Sequence, residues 1–467
     1  MKKNTLLKTI AIIFLVYAVL TWIIPTGHFS SGEYVKDAIT PIGLFDIVRY
    51  PLITLTSSVF LLTSLVILLI GALYGVLNKT GVYQNFVESI VKKYKNKKTT
   101  FLMITVFTFV ILSSLTALNL PLFIMVPFFA TILLLLGYSK FTTMLATVGS
   151  ILIGNIVSTY GFNVAGYVTY FTNDINNSII YRIILFVLVV GLFIFTILKS
   201  SKLKEKAKTE EIMLYEKSEN KTKKSVVPMI IILSLMMVIS IVGMINWEEL
   251  FGITLFGDIY TNVTGFKILG YPLFGNLIGA MYQMGSWTNY ELALMLVIAI
   301  MLIAFVYKIK AKDMLSSSIE GAKKLLPVAI YAILANVIFL VMNATSTGYT
   351  IFPTIANGLF GLVDGFNVIV FGIISFIGSI LFNDFPYLLG AVYDPMTNLY
   401  SDSVSIMGVI AQSIHGLIQF LIPTSVLLVI GLKYFEIPYT EWLKKVYKFA
   451  LLVLVAATLV VTLMALI

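Results

Sequence analysis

The chain contains no cysteine and only two histidines, His28 and His415. Without thiols there are no disulfides, no thiolate metal sites and no cysteine nucleophile. With only two histidines a conventional histidine-based zinc site is not expected, and no cofactor is expected. Charge is scarce as well: charged residues make up 12% of 467, against about 25% in soluble domains. A soluble protein of this size needs polar cover, which a chain with 59% hydrophobic residues lacks. Lipid removes that need. The net charge of +10 does not imply a nucleic-acid partner, because the lysines cluster between apolar runs as the positive-inside bias requires.

What is present is a series of apolar runs of about 17–25 residues, long enough to cross hydrocarbon as helices. They are Leu6–Ile24, Ser57–Leu77, Phe101–Leu118, Leu120–Leu136, Ile179–Leu198, Val226–Ile245, Leu292–Tyr307, Leu325–Met342, Asn367–Phe382 and Phe449–Ile467. Two further stretches are apolar but broken. Thr142–Gly166 is interrupted by Gly149, Gly154 and Gly161, and Ser405–Leu432 by Gly408, Gly416, Pro423 and Gly431. Such interruptions free backbone groups that must face protein or a wet cavity.

The expected fold is an all-α integral membrane protein of about 10–13 transmembrane helices. These form two structural repeats with re-entrant hairpins and discontinuous helices. An N-terminal transmembrane half covers 1–198, a cytoplasmic linker 199–225 and a C-terminal transmembrane half 226–467. The basic start and apolar core before Pro25 lack a small-residue cleavage site, so they read as an uncleaved first span. Lys2, Lys3 and Lys8, the group Lys92–Lys98, and nine lysines from Lys199 to Lys224 mark the cytoplasmic side of a cell membrane. The linker mixes Lys and Glu without apolar periodicity and reads as solvated. Met144–Ser150 and Met407–Ser413 share a Met-to-Ser spacing 263 residues apart, and paired broken segments point to a repeat-built transporter. Lys308, Lys310, Lys312, Lys323 and Lys324 would also lie inside, which sits awkwardly with an inverted repeat.

Three segments are polar at membrane depth. Ser113, Ser114, Thr116 and Asn119 lie between two apolar runs without a charged loop. They form either a tight outer turn or the tip of a re-entrant hairpin. Asn155, Ser158, Thr159 and Asn163 lie among glycines; close helix packing competes with an unwound, solute-facing reading. Gln412, His415 and Gln419 share one helical face, with Ser413 beside them and Thr424 and Ser425 beyond Pro423. From Leu325 to Leu432 there is no Lys or Arg, yet Asp384 and Asp394 occur. With Asn383 they belong to an outer loop or to a second hairpin tip, where an acid would attract a cation such as Na+ or H+.

At these residues the chain resembles the YfcC-like carriers, also called C4-dicarboxylate anaerobic carrier-like, of the ion transporter superfamily. The resemblance rests on Leu20-Thr21-Trp22-Ile23-Ile24-Pro25-Thr26-Gly27, on Glu320-Gly321-Ala322-Lys323-Lys324-Leu325-Leu326-Pro327, and on Pro423-Thr424-Ser425 with Ile437-Pro438-Tyr439-Thr440-Glu441-Trp442-Leu443-Lys444. It implies two halves, each with a hairpin and a broken helix meeting at a central site, often in a homodimer. The hairpins map onto Ser113–Pro121 and Asn383–Pro395, the broken helices onto Gly154–Asn163 and Gln412–Ser425. Ala117, Leu118 and Asn119 stand where many relatives carry a pair of glutamates. Asn383-Asp384-Phe385-Pro386 replaces a Ser/Gly-rich tip, and Ile414-His415-Gly416 replaces a common Gly-Asp.

The expected function is secondary transport of a small polar solute (an amino acid, peptide or carboxylate), coupled to Na+ or H+ or running by exchange. The acidic second half leans towards a cationic substrate or cation coupling. The alternatives are a membrane-embedded enzyme or a channel. No acid dyad or compact metal motif supports an enzyme, and Ser413 and His415, two apart, face differently on a helix. No filter-like repeat or charged ring supports a channel.

Overall fold

Runs of Leu, Ile, Val and Phe become helices here because in hydrocarbon only an internal ladder satisfies every backbone group. The computed structural model describes residues 5–30, 33–161, 178–201, 212–217, 222–279, 281–343, 350–390 and 400–466. Among them are eight helices long and apolar enough to cross a membrane, and four shorter apolar ones. The fold is an all-α membrane protein, as expected.

Helix α1 (Thr5–Leu20) leads to a two-stranded antiparallel hairpin, β1 (Gly27–Ser30) and β2 (Glu33–Lys36). The first half continues through α2 (Asp46–Thr56), α3 (Ser58–Thr80), α4 (Val82–Tyr94), α5 (Lys98–Thr116), α6 (Asn119–Leu135), α7 (Lys140–Ile156, with a π turn at Leu145–Gly149) and α8 (Ile179–Ser201). The second half contains α9 (Val227–Met244), then three short helices between Trp247 and Ile278, then α10 (Asn289–Val306). It goes on through α11 (Ala311–Leu334), α12 (Val337–Asn343), α13 (Phe352–Phe360), α14 (Val368–Leu381) and α15 (Phe385–Leu388). Helices α16 (Val404–Leu421), α17 (Val426–Tyr434) and α18 (Tyr439–Leu466) complete it.

The closest crossing joins α3 to α11. A Cβ on Gly75 would sit 2.0 Å from the Ser317 carbonyl oxygen, and one on Gly321 2.1 Å from that of Gly71. Small residues let the two backbones touch, as in other tightly packed membrane helices. Ser64 Oγ donates to the Ala329 carbonyl at 3.0 Å, and the Phe60 and Phe339 rings meet edge to face. Rising numbers on α3 therefore meet falling numbers on α11, and the pair is antiparallel.

Helix α5 packs on α7, α14 on α16, α7 on α16 and α8 on α18. The antiparallel crossing sets the start of α11, just after Lys308–Lys312, beside the end of α3, which leads through α4 to Lys92–Lys98. Asn85 on α4 donates to the Thr222 carbonyl at 2.8 Å, and Lys224 to that of Tyr307 at 2.7 Å, so these lysine groups lie at one end of the bundle. At the other end, Gly27 N donates to the Thr350 carbonyl at 3.1 Å and Tyr34 Oη bonds Thr354 Oγ1 at 2.7 Å.

The linker departs from the expected solvated chain. Ile212, Leu214 and Tyr215 are buried. Asn78 Nδ2 donates to the Leu214 carbonyl at 3.0 Å, Tyr434 Oη to that of Met213 at 3.2 Å, and Lys324 pairs with Glu216 at 2.6 Å. Burial, with the nearby charge of Glu88, pushes the Tyr215 phenol up to about 12. An apolar patch of three residues, too short for periodicity to register, docks this part of the linker.

Candidate functional site

The first polar segment is the turn between α5 and α6. Ala117 closes α5 in a left-handed conformation (φ 52°), its N–H bonding the Ser113 carbonyl at 2.7 Å. The turn brings Ser113 and Ser114, both buried, against the end of α7. Ser113 Oγ shares its one proton between the Ile151 carbonyl at 2.7 Å and Asn155 Oδ1 at 2.9 Å. Asn155 Nδ2 donates onward to Asn119 Oδ1 at 2.8 Å. Thr116 bonds back to the Leu112 carbonyl at 2.7 Å and takes part in closing the turn.

Helix α7 stops at Ile156, and the freed groups are taken up by that turn. Ser114 Oγ donates to the Val157 carbonyl at 2.8 Å, while the N–H groups of Thr159 and Tyr160 bond the Ser114 carbonyl at 2.9 and 3.3 Å. The hydroxyls of Ser158 and Thr159 reach the same carbonyl at 3.3 Å. Gly154 permits the approach, since a Cβ there would lie 2.5 Å from Ser113 Cβ. Asn163 and Asp394 lie outside the described residues.

The first break meets the middle of α16. Gln412 Nε2 donates to the Ser158 carbonyl at 2.7 Å. A Cβ on Gly416 would fall 2.5 Å from Ile156 Cα. Helix α16 was expected to unwind around Gly416; it stays helical to Leu421 and breaks only at Ile422–Ser425. Pro423, which supplies no N–H, sets that position. The two breaks are thus offset along α16, and the first lies against Gln412–Gly416. Trp442 Nε1 donates to the Phe420 carbonyl at 3.0 Å and Tyr439 Oη to that of Leu421 at 3.0 Å. The aromatic pair of the closing motif therefore holds the carbonyls at the second break.

Other residues singled out in the sequence divide clearly. Ser413 Oγ bonds the Val409 carbonyl of its own helix at 2.6 Å, and Ser425 caps α17 through the Leu428 N–H at 3.3 Å. His415 packs its ring on Phe385, centroids 5.1 Å apart. Asn383 Nδ2 donates to Asn336 Oδ1 at 2.7 Å. Asp384 caps α15, accepting from the Tyr387 N–H at 3.2 Å. Among the described residues no group of three or more His, Asp or Glu side chains could hold a metal ion.

The residue that sequence reasoning missed is Arg182. It is 1% exposed. Its Nη1 donates to Gln412 Oε1 and to the Ser158 carbonyl, the latter at 3.5 Å, while Nε donates to Ser178 Oγ at 3.1 Å. One guanidinium thus joins α8, the first break and α16. The signal was available: an arginine close to the start of the apolar run Ile179–Leu198 is a charge inside a predicted span, and such charges are costly and usually functional. Asn336, an uncharged amide inside the run Leu325–Met342, was missed as well.

A family model described as DcuC, C4-dicarboxylate anaerobic carrier, matches residues 4–466. The chain belongs to that family. It is a carrier, built as a multi-pass membrane protein. Among solved structures, the YdaH transporter of Alcanivorax borkumensis aligns over 98% of this chain and 98% of that one, at 12% identity and a TM-score of 0.44; a likeness so loose carries no argument about the site. No curated protein matches the chain.

Proposed function

We propose that this carrier is a secondary transporter for a small carboxylate-bearing solute, which it moves by alternating access. The observation that carries the reading is Arg182, a buried guanidinium at the junction of α8, the first break and α16. Its planar fork of donors matches a carboxylate in two-pronged geometry. Gln412 and the Ser158 carbonyl are neutral acceptors that a stronger, charged acceptor can displace. The family's description, a C4-dicarboxylate carrier, agrees with an anionic solute. A cationic solute would meet like charge at Arg182, so the acidic residues are assigned to coupling instead.

Asp384, which caps α15 beside the His415–Phe385 contact, is our candidate for the coupling cation, Na+ or H+. The closing motif supports membership of the YfcC-like branch. The lysine-rich end of the bundle is read as cytoplasmic, with the N-terminus and residues 199–225 on that side. The homodimer implied by the resemblance is tested by mass measurement in detergent.

Uptake into proteoliposomes, with and without Na+ and proton gradients, tests this reading. Small carboxylates are expected to compete with one another for uptake, while their fully amidated analogues do not compete. Uptake of basic amino acids unaffected by carboxylates would refute it.

A further inference from the structure

The segment between α9 and α10 leaves the bundle through a pinned neck. The N–H groups of Gly285 and Trp287 both bond the Gly243 carbonyl, at 2.7 and 3.0 Å, and Trp247 Nε1 donates to the Val242 carbonyl at 2.7 Å. At the opposite end of the same two helices, Lys224 holds the Tyr307 carbonyl at 2.7 Å. Helix α9 has 18 residues, which rise about 27 Å, close to the thickness of the hydrocarbon. The neck therefore sits at the membrane boundary away from the lysines, and the segment starts and ends there.

Within this segment the helix Leu255–Gly265 has two distinct faces. Phe256 turns to Trp247, ring centroids 5.6 Å apart, and Tyr260 Oη donates to the Met281 carbonyl at 3.0 Å. These contacts hold the helix to its own segment. Asp258, Thr261 and Asn262 share an exposed polar face. Leu255, Ile259, Val263 and Phe266 follow at spacings of four, four and three, and are 56%, 51%, 37% and 54% exposed. The next helix, Leu273–Ile278, packs on the first where Gly275 meets the Thr264 carbonyl, yet also leaves Leu273 and Leu277 exposed.

Three observations say what covers the stripe. Helices α9 and α10, from which the segment springs, already present Leu235, Val238, Val297 and Met301 outward, so the stripe continues a lipid-facing surface. Two of the four tryptophans, Trp247 and Trp287, lie here with Tyr260, Tyr271, Tyr282 and Tyr290, and Trp and Tyr gather at membrane–water interfaces. Charge is sparse: from Trp247 to Thr288 only Glu248, Glu249, Asp258 and Lys267 occur, with no basic cluster of the kind that selects anionic lipid. A second copy of the chain fits less well, because a stable interface takes about 20–30 residues a side and the stripe supplies four.

We propose that Leu255–Gly265 is an interfacial arm whose apolar stripe inserts between headgroups and acyl chains of the leaflet away from the lysine-rich end. An amphipathic helix in such a position buries its apolar face about 5–10 Å deep and keeps its polar face wet.

The chain has no cysteine, so single nitroxide labels on full-length protein test this directly. Ile259→Cys and Val263→Cys report the stripe, and Thr261→Cys the polar face. Each is reconstituted in phosphatidylcholine vesicles, and collision rates are measured with oxygen, which concentrates in lipid, and with a neutral nickel chelate, which stays in water. The ratio of oxygen to nickel collisions is expected to be several-fold higher at positions 259 and 263 than at 261. Equal ratios at all three positions, with ready nickel access, would put the stripe in water and overturn the proposal. Protection of 259 and 263 from both reagents would mean that protein covers the stripe, and overturns it too; particle mass in detergent then shows whether that protein is a second copy.

Discussion

Gln412→Leu removes the side chain that joins the first break to Arg182. Two bonds are lost: Gln412 Nε2 to the Ser158 carbonyl at 2.7 Å, and Arg182 Nη1 to Gln412 Oε1. Gln412 is 2% exposed, so water does not readily replace either. A neutral hydrogen bond contributes about 0.5–1.5 kcal/mol and one to a charged group about 1.5–3. The variant should therefore lose about 2–4 kcal/mol, read as a lower unfolding midpoint in detergent. Gln412→Glu is the informative partner. It keeps an acceptor against the guanidinium and adds a charge-assisted bond, so the protein should fold at least as well as Gln412→Leu. The new carboxylate then occupies Arg182, and carboxylate uptake should fall to background. A Gln412→Leu variant as stable as wild type would refute the bonding at this junction. A Gln412→Glu variant with wild-type KM would refute Arg182 as the anchor.

Three further outcomes are expected. Gly75→Val should prevent assembly of the α3–α11 crossing, whereas Gly191→Ala, where an added Cβ meets nothing within 4 Å, should leave folding intact; thermal unfolding and yield compare them. Trp442→Phe deletes the donor to the Phe420 carbonyl and should cost about 1 kcal/mol, again read in the unfolding midpoint. On this cysteine-free background, Lys217→Cys should resist impermeant thiol reagents in intact cells while Leu269→Cys reacts. The opposite pattern reverses the orientation.

The spans were legible because apolar run length alone decides them. The broken helices were legible from Gly154, Gly161 and Pro423, and the turn between α5 and α6 from the polar run Ser113 to Pro121. Which polar residues face a solute was not legible, because a hydroxyl that staples two helices and one that binds a ligand look alike in sequence. Ser113 and Ser114 proved to hold the first break together, and Ser413 to bond its own helix. Helical spacing did place Gln412, His415 and Gln419 on one face. It could not show that Gln412 alone meets Ser158 and Arg182, since those partners lie 254 and 230 residues away. Arg182 was visible but lost within an otherwise uniform apolar run, and the docking of Leu214 and Tyr215 was hidden by the surrounding Lys and Glu.

The central claim is that a carboxylate is held by Arg182. It is tested most directly by the KM for a small carboxylate in reconstituted wild type, Arg182→Lys and Arg182→Met, each first shown to be folded by size-exclusion chromatography. The account predicts saturable uptake by wild type and none above background by Arg182→Met. For Arg182→Lys, which keeps the charge but loses the fork, it predicts a KM raised by about 10- to 100-fold, the worth of one charge-assisted bond. A folded Arg182→Met protein with wild-type KM would contradict it.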